Sequence, residues 1–195
     1  KKEKQMKTIT VFTPAYNRAH TLRRAFNSLK AQTCKDFEWL IIDDGSTDGT
    51  SELVERLQKE ADFPIRYYWK ENGGRHTAVN YSYQFLQTKY VVTLDSDDEL
   101  TPNAVELMIR TWNSIPKERY DHIWCVSGRE MDANTLQLVG EPYPEDINEK
   151  SGKAQRKILL KYEGEKHCCR RVDIHIRYKF PVYDDTKFVL ENTVW

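Results

Sequence analysis

The stretch WLIIDDGSTDGTSELVE, residues 39–55, decides the fold. Four apolar residues, Trp39 to Ile42, run into Asp43 and Asp44 and then into the turn Gly45-Ser46-Thr47-Asp48-Gly49. Beyond the turn, Leu53, Val54 and Leu57 return at helical spacing. A short apolar run, a glycine-rich turn and an amphipathic segment are the pattern of a buried strand feeding a helix. A calcium loop is the competing reading. Asp44, Ser46, Asp48, Gly49 and Glu55 fall on the first, third, fifth, sixth and twelfth places of the EF-hand spacing. It fails on context: a strand-like run precedes the loop where a helix belongs. Ser51 also stands at the eighth place, where an apolar residue is expected.

The same alternation extends on both sides of this stretch. Thr8 to Thr13 is β-rich and closed by Pro14 and Asn17, and His20 to Gln32 carries Leu22, Ala25, Phe26 and Leu29 on one helical face. Further strands are expected at 37–42, 65–69 and 90–94, and helices at 49–60 and 77–86. Thr101 and Pro102 read as N-cap and first residue of a helix over 103–112. Short strands alternating with helices mean βαβ units and a mostly parallel central sheet flanked by helices, an α/β fold. From residue 116 the regularity fades. A strand is expected at 120–126, a hairpin at 131–139, a Pro- and acid-rich loop at 141–151 and a short helix at 153–161.

Bulk properties narrow the function classes. A chain of 195 residues is one domain, or one and a fraction, with room for a real core. Thirty basic and thirty acidic residues cancel, so no global field points to nucleic acid. No apolar run is long enough to span a membrane, and the charged start Lys1-Lys2-Glu3-Lys4 is no signal peptide. Cys34, Cys125, Cys168 and Cys169 form no CxxC pair and read as reduced thiols, which suggests the cytoplasm, with a peripheral place at the inner face of a membrane left open. The chain stops mid-pattern at Val194-Trp195, so it is expected to be part of a longer protein, with membrane association only through unseen segments.

Chemistry collects just after the strands. The four strand ends carry TPAYNR (13–18), DDGSTDG (43–49), ENGGRH (71–76) and DSDDE (95–99). In a parallel sheet these ends share one edge, where ligands bind. Four carboxylates within Asp95–Glu99 repel one another, and a divalent cation would relieve them. So few protein oxygens suit Mg2+ or Mn2+, which complete their shell with water and substrate phosphate. Asn72-Gly73-Gly74 lets backbone approach a ligand and brings Arg75 to a helix start, and Tyr16 offers a ring for stacking. There is no GxxxxGK[ST] and no GxGxxG after the first strand, which argues against a P-loop or Rossmann enzyme.

In order and spacing, TPAYNR, DDGSTDGT, NGGRHTAVN and LDSDDEL resemble family 2 glycosyltransferases of the GT-A fold. The resemblance is strong over residues 8–110 and only general beyond 116. It implies a single GT-A domain, with residues 1–115 as the nucleotide-sugar and metal half and 116–195 as a more irregular acceptor half. It implies a nucleotide-binding set of Thr13, Pro14, Tyr16, Arg18, Asp44, Asn72, Gly74, Arg75, Asp95 and Ser96. Asp95-Ser96-Asp97 matches the DxD motif, with Asp97 as metal ligand and Asp98 as the overlapping choice for Mn2+ or Mg2+. The implied reaction is inverting transfer from a nucleotide-diphosphate sugar, UDP-linked in most of the family, to a glycan or lipid-linked acceptor in polysaccharide synthesis. The implied general base falls in FVLENTVW (188–195): Glu191 is present, but Asn192 replaces the second acid, with Asp184 and Asp185 as fallbacks. Lys166, His167, Tyr162, Tyr178 and Tyr183 are candidates for facing an acceptor. A nucleotidyltransferase and a non-catalytic nucleotide-sugar-binding domain are the remaining alternatives. The first would carry a glycine- and arginine-rich loop where Pro14 and Tyr16 stand.

Overall fold

Strand β1, Ile9–Ala15, is buried along all seven of its residues, which marks it as the centre of the sheet. In the computed structural model, which describes residues 6–129, 131, 132, 134–139 and 166–182, β1 pairs in parallel on both sides. One partner is β2, Phe37–Asp43, and beyond it lies β3, Ile65–Trp69, also parallel. The other partner is β4, Tyr90–Thr93. With β5 at Cys125–Arg129 and β6 at Lys166–Arg171, the strand order is β3-β2-β1-β4-β6-β5. The β4–β6 pairing is antiparallel, through Tyr90↔Arg171, Val91↔Arg170 and Val92↔Cys169.

Helices follow the expected alternation: α1 Leu22–Lys30, α2 Thr50–Glu60, α3 Arg75–Ser82, α4 Ala104–Ser114, and the short α5 Lys117–Tyr120 and α6 Val172–His175. Because side chains alternate along a strand, the sheet builds two cores. Val11, Trp39, Ile41 and Val92 meet Phe26, Leu29, Leu57 and Trp112 of α1, α2 and α4. Phe12, Leu40, Ile42 and Val91 meet Ala78 and Val79 of α3 together with Tyr83, Val172 and Phe180. Fully buried side chains of this size each contribute about 1.5–3 kcal/mol. Phe26→Ala, at a position 1% exposed, would cost about 3–5 kcal/mol.

Two compact units divide the chain, Lys1–Val126 with Cys169–Trp195, and Ser127–Cys168. In the second, Met131 bridges Leu138 in antiparallel fashion, and Asp132 accepts hydrogen bonds from the amides of Asn134 and Thr135. The stretches 141–151 and 153–161 lie outside the described residues.

Several boundaries differ from the sequence reading, and three of the shifts have a visible cause. The fourth helix starts at Ala104, because Thr101 and Pro102 are held by the end of α1. The carbonyl of Thr101 accepts from Gln32 Nε2 and that of Pro102 from the amide of Thr33. Gln32 Oε1 also accepts from the amide of Val105, so a distant side chain supplies the cap that Thr101 was expected to give. The third helix begins two residues early, behind Gly74 at φ 92, and ends in the 3-10 turn Tyr83–Phe85. The expected strand at 120–126 is displaced to Cys125–Arg129, since Lys117–Tyr120 coils as α5.

Candidate active site at the carboxyl ends of the strands

The chain runs β1, β2, β3 outward on one side and then crosses to β4 on the other. The order therefore reverses between β1 and β4, and the crevice above such a reversal is where open α/β sheets take ligands. All four motif loops leave the sheet on this edge.

The first loop is locked to the second. Asn17 adopts φ 53, a left-handed conformation that asparagine tolerates better than most residues. Its amide donates to Ser46 Oγ at 2.8 Å and its Oδ1 accepts from the amide of Thr47 at 2.9 Å. The amides of Arg18 and Ala19 donate to Thr50 Oγ1 and Asp48 Oδ2. Burial alone would raise the Asp48 pKa, but hydrogen bonds from Thr50 and Ala19 outweigh it and hold it below the usual carboxylate value. Asp48 thereby closes the start of α2 by accepting from the Thr50 amide. Tyr16 is left half in solvent, 51% exposed, at the mouth of the crevice.

Thr13, expected to line the nucleotide base and ribose, has its hydroxyl inside the sheet. It is fully buried: its hydroxyl donates to the Leu94 carbonyl at 2.7 Å and accepts from Trp39 Nε1 at 2.9 Å. Both capacities of the hydroxyl are used inside the sheet, so Thr13 ties β2, β1 and the end of β4 together. Pro14 is buried beside it, opposite Ile42.

The paired aspartates have separate tasks. Asp43 Oδ1 accepts from the Ser46 amide and Oδ2 from the Tyr67 hydroxyl at 2.5 Å. Burial first, and the Asp43 bond second, push the Tyr67 pKa far up. Asp44 receives the amides of Gly73 and Gly74 at 3.1 and 2.7 Å, Asn72 Nδ2 at 3.3 Å and Lys70 Nζ at 2.5 Å. Its carboxylate fastens the third loop to the second. The calcium reading ends here: Asp48 is occupied by Ala19 and Thr50, and Glu55 is exposed on α2.

The acidic loop is ringed by arginines. Arg75 reaches Asp95 at 2.6 Å, Arg18 reaches Asp97 at 3.8 Å and Arg24 reaches Glu99 at 3.3 Å. Arg24 also donates to the carbonyl of Asp97, and the Asp98 amide donates to the carbonyl of Asp95. Ser96 is buried beneath the loop, 4% exposed. The repulsion read from the sequence is thus met by guanidinium groups of the chain itself. Among the described residues no three His, Cys, Asp or Glu side chains are grouped to hold a metal. One or two carboxylates with open positions fit a cation that shares its shell with a phosphate, and do not fit an all-protein cage.

Arg24 was not singled out in the sequence, although a signal was there. It lies in the first turn of α1, which has no acidic residue, and a cation there opposes the helix dipole. Such a local misfit points to a tertiary partner. His76 is 4% exposed, and its Nε2 has no hydrogen-bond partner among the described residues.

A model of the family described as glycosyl transferase family 2 matches residues 10–176. This chain belongs to glycosyl transferase family 2. Within the family, chondroitin synthase of Pasteurella multocida is 39% identical over 102 residues, 52% of this chain but 10% of the synthase. A glycosyltransferase of Nostoc sp. is 29% identical over 140 residues, 71% of this chain and 44% of its own. This family 2 chain therefore spans less than half the length of these relatives. Among solved structures, S. aureus TarS 1-349 in complex with UDP-GlcNAc superposes with a TM-score of 0.62 at 18% identity, covering 89% of this chain and 48% of that one. The mannosyltransferase PcManGT from Pyrobaculum calidifontis, in complex with GDP-Man and Mn2+, gives 0.62 at 18% identity, covering 91% and 48%. At such identity the likeness establishes the GT-A fold expected from the sequence.

Of the residues of this family 2 chain expected to face an acceptor, Tyr178 is exposed and His167 half-buried. Glu191 and Asp185, with Asp184, Asn192, Tyr162 and Tyr183, lie outside the described residues, as does the side chain of Lys166. No helix among the described residues is long and apolar enough to cross a membrane.

Proposed function

We propose that the chain is the donor-binding part of an inverting, metal-dependent glycosyltransferase. It would take a sugar from a nucleotide-diphosphate donor, UDP-linked, and pass it to a hydroxyl of a glycan or lipid-linked acceptor in polysaccharide synthesis. The observation that carries this reading is the meeting of four polar loops at the β1/β4 reversal, where arginines pair with the carboxylates of the acidic loop. TarS with UDP-GlcNAc and PcManGT with GDP-Man support the class of donor.

In this reading Tyr16 covers the base, and the Asn72–Gly74 backbone, held by Asp44, borders it. Arg18 and Arg75 supply positive charge to the diphosphate, since guanidinium suits phosphate geometry. Asp97 and Asp98 would hold Mn2+ or Mg2+, with Asp95 and Ser96 shaping the turn that presents them. A cation bound there stabilises negative charge on the departing diphosphate. Inversion by a single displacement needs a base to take the acceptor proton, and Glu191 or Asp185 is assigned to it. We place the work on the cytoplasmic side, with membrane attachment outside the described residues.

Calorimetric titration of UDP and GDP with Mn2+, on the wild type and on Asp97→Ala, tests the donor site. Metal-dependent binding lost in Asp97→Ala supports it. Failure of every nucleoside diphosphate to bind, with or without metal, would sink it.

A further inference from the structure

We propose that Arg18 and Arg75 are exchangeable counter-ions of the acidic loop. They hold Asp97 and Asp95 while the loop carries no cation, and they pass to the donor's diphosphate when it does. The inference rests on the donor reading above, and goes beyond it by making the loop's carboxylates and the donor's diphosphate compete for the same guanidinium groups.

Three observations carry it. First, two carboxylates of the acidic loop are already paired, Asp95 with Arg75 at 2.6 Å and Asp97 with Arg18 at 3.8 Å. A divalent cation arriving at Asp97 enters beside two positive groups and is disfavoured by them. Second, both pairs are half in solvent, with side chains 39–52% exposed, so releasing them is cheap. Third, the backbone on which each arginine stands is fixed. The Arg18 amide is bonded to Thr50 Oγ1, and Arg75 opens α3 directly behind Gly74. Arg24 grips the Asp97 carbonyl as well as Glu99, so it stays with the loop when carboxylates change partners.

The exchange has a thermodynamic signature. The diphosphate draws the arginines away from the carboxylates, which frees Asp97 for the cation. The cation in turn frees the arginines for phosphate. Each ligand must then tighten the other by the same factor. If the arginines were only struts for the loop, removing one would loosen it and weaken both ligands together.

The test reads Mn2+ binding by electron paramagnetic resonance and UDP or GDP binding by calorimetry. It uses the wild type, Arg18→Gln, Arg75→Gln and Arg23→Gln, the last removing a guanidinium paired to Glu60. Thermal melts confirm that each variant is folded. We expect Arg18→Gln and Arg75→Gln to bind Mn2+ alone about two- to five-fold more tightly than wild type. The same variants should bind the nucleotide with Mn2+ at least about five-fold more weakly. Arg23→Gln should match wild type in both. Folded variants that bind Mn2+ alone no more tightly, or a wild type in which nucleotide leaves Mn2+ affinity unchanged, overturn the exchange and leave the donor reading standing. A wild type that binds neither nucleotide in any combination overturns both.

Discussion

Lys70 Nζ lies 2.5 Å from Asp44 Oδ1, and their side chains are only 17% and 5% exposed. A pair this desolvated differs from the exposed ion pairs elsewhere on the chain, because removing one partner strands the other charge. Lys70→Met should destabilise the protein by about 2–4 kcal/mol, at the lower side of such cases because three amide donors still serve Asp44. Urea unfolding measures it. A midpoint equal to wild type would show that Lys70 does not hold Asp44.

Gly45 presses against the third loop. A Cβ there would stand 2.8 Å from the Asn72 amide nitrogen, and the residue sits at φ +86. Gly45→Ala should cost about 2–4 kcal/mol from backbone strain and the clash with main chain together. Nucleotide affinity should fall as well, since Asn72–Gly74 must move. Unaltered thermal stability would contradict this packing.

Asn17 separates conformation from bonding. Asn17→Gly keeps the φ of 53 accessible but loses the acceptor for the Thr47 amide, at a cost of about 1 kcal/mol. Asn17→Ala loses the same bond and adds left-handed strain of about 1–2 kcal/mol. The expected order of melting temperatures is therefore wild type, Gly, Ala. An alanine variant at least as stable as the glycine one would refute the assignment.

His175 gives the protein a pH dependence. Burial, and secondarily the nearby Arg170 charge, lower its pKa to about 4, while its ring meets Tyr83 edge-on at 4.9 Å. Between about pH 6.5 and pH 4 the unfolded chain binds a proton that the folded one refuses, so stability falls as the solution is acidified. Between pH 7 and pH 5 the loss is on the order of 1 kcal/mol once partial exposure is allowed for. Denaturant midpoints at the two pH values check it, and His175→Gln should flatten the difference. An equal slope in that variant would assign the effect to other groups.

The fold was legible where its causes are local. The strand runs at 37–43, 65–69 and 90–93 and the helical spacing of Leu22, Phe26 and Leu29 can all be read within a dozen residues. So can the placement of four polar loops on one edge. What stayed hidden depends on partners far along the chain. Thr13 looks like a ligand contact until Trp39 and the Leu94 carbonyl claim its hydroxyl. Asp44 looks open until Lys70 and the glycine amides reach it. The start of α4 is set by Gln32, and Glu99 of the acidic loop is paired by an arginine on α1 that no motif contains. In each case a side chain from another element won over the local rule.

The strand order also bears on how the protein is made. β1 joins β2 through partners such as Thr10 and Glu38, 28 positions apart, but meets the end of β4 through Thr13 and Leu94, 81 positions apart. Closing the longer loop costs more chain entropy, so the β1–β2 half is favoured to form first and β4 to arrive late. The crevice exists only once both have joined. A nucleotide that binds there recognises the finished molecule alone and adds its binding energy to the native state. On a ribosome, a site for such a nucleotide would thus appear only when β4 has joined β1.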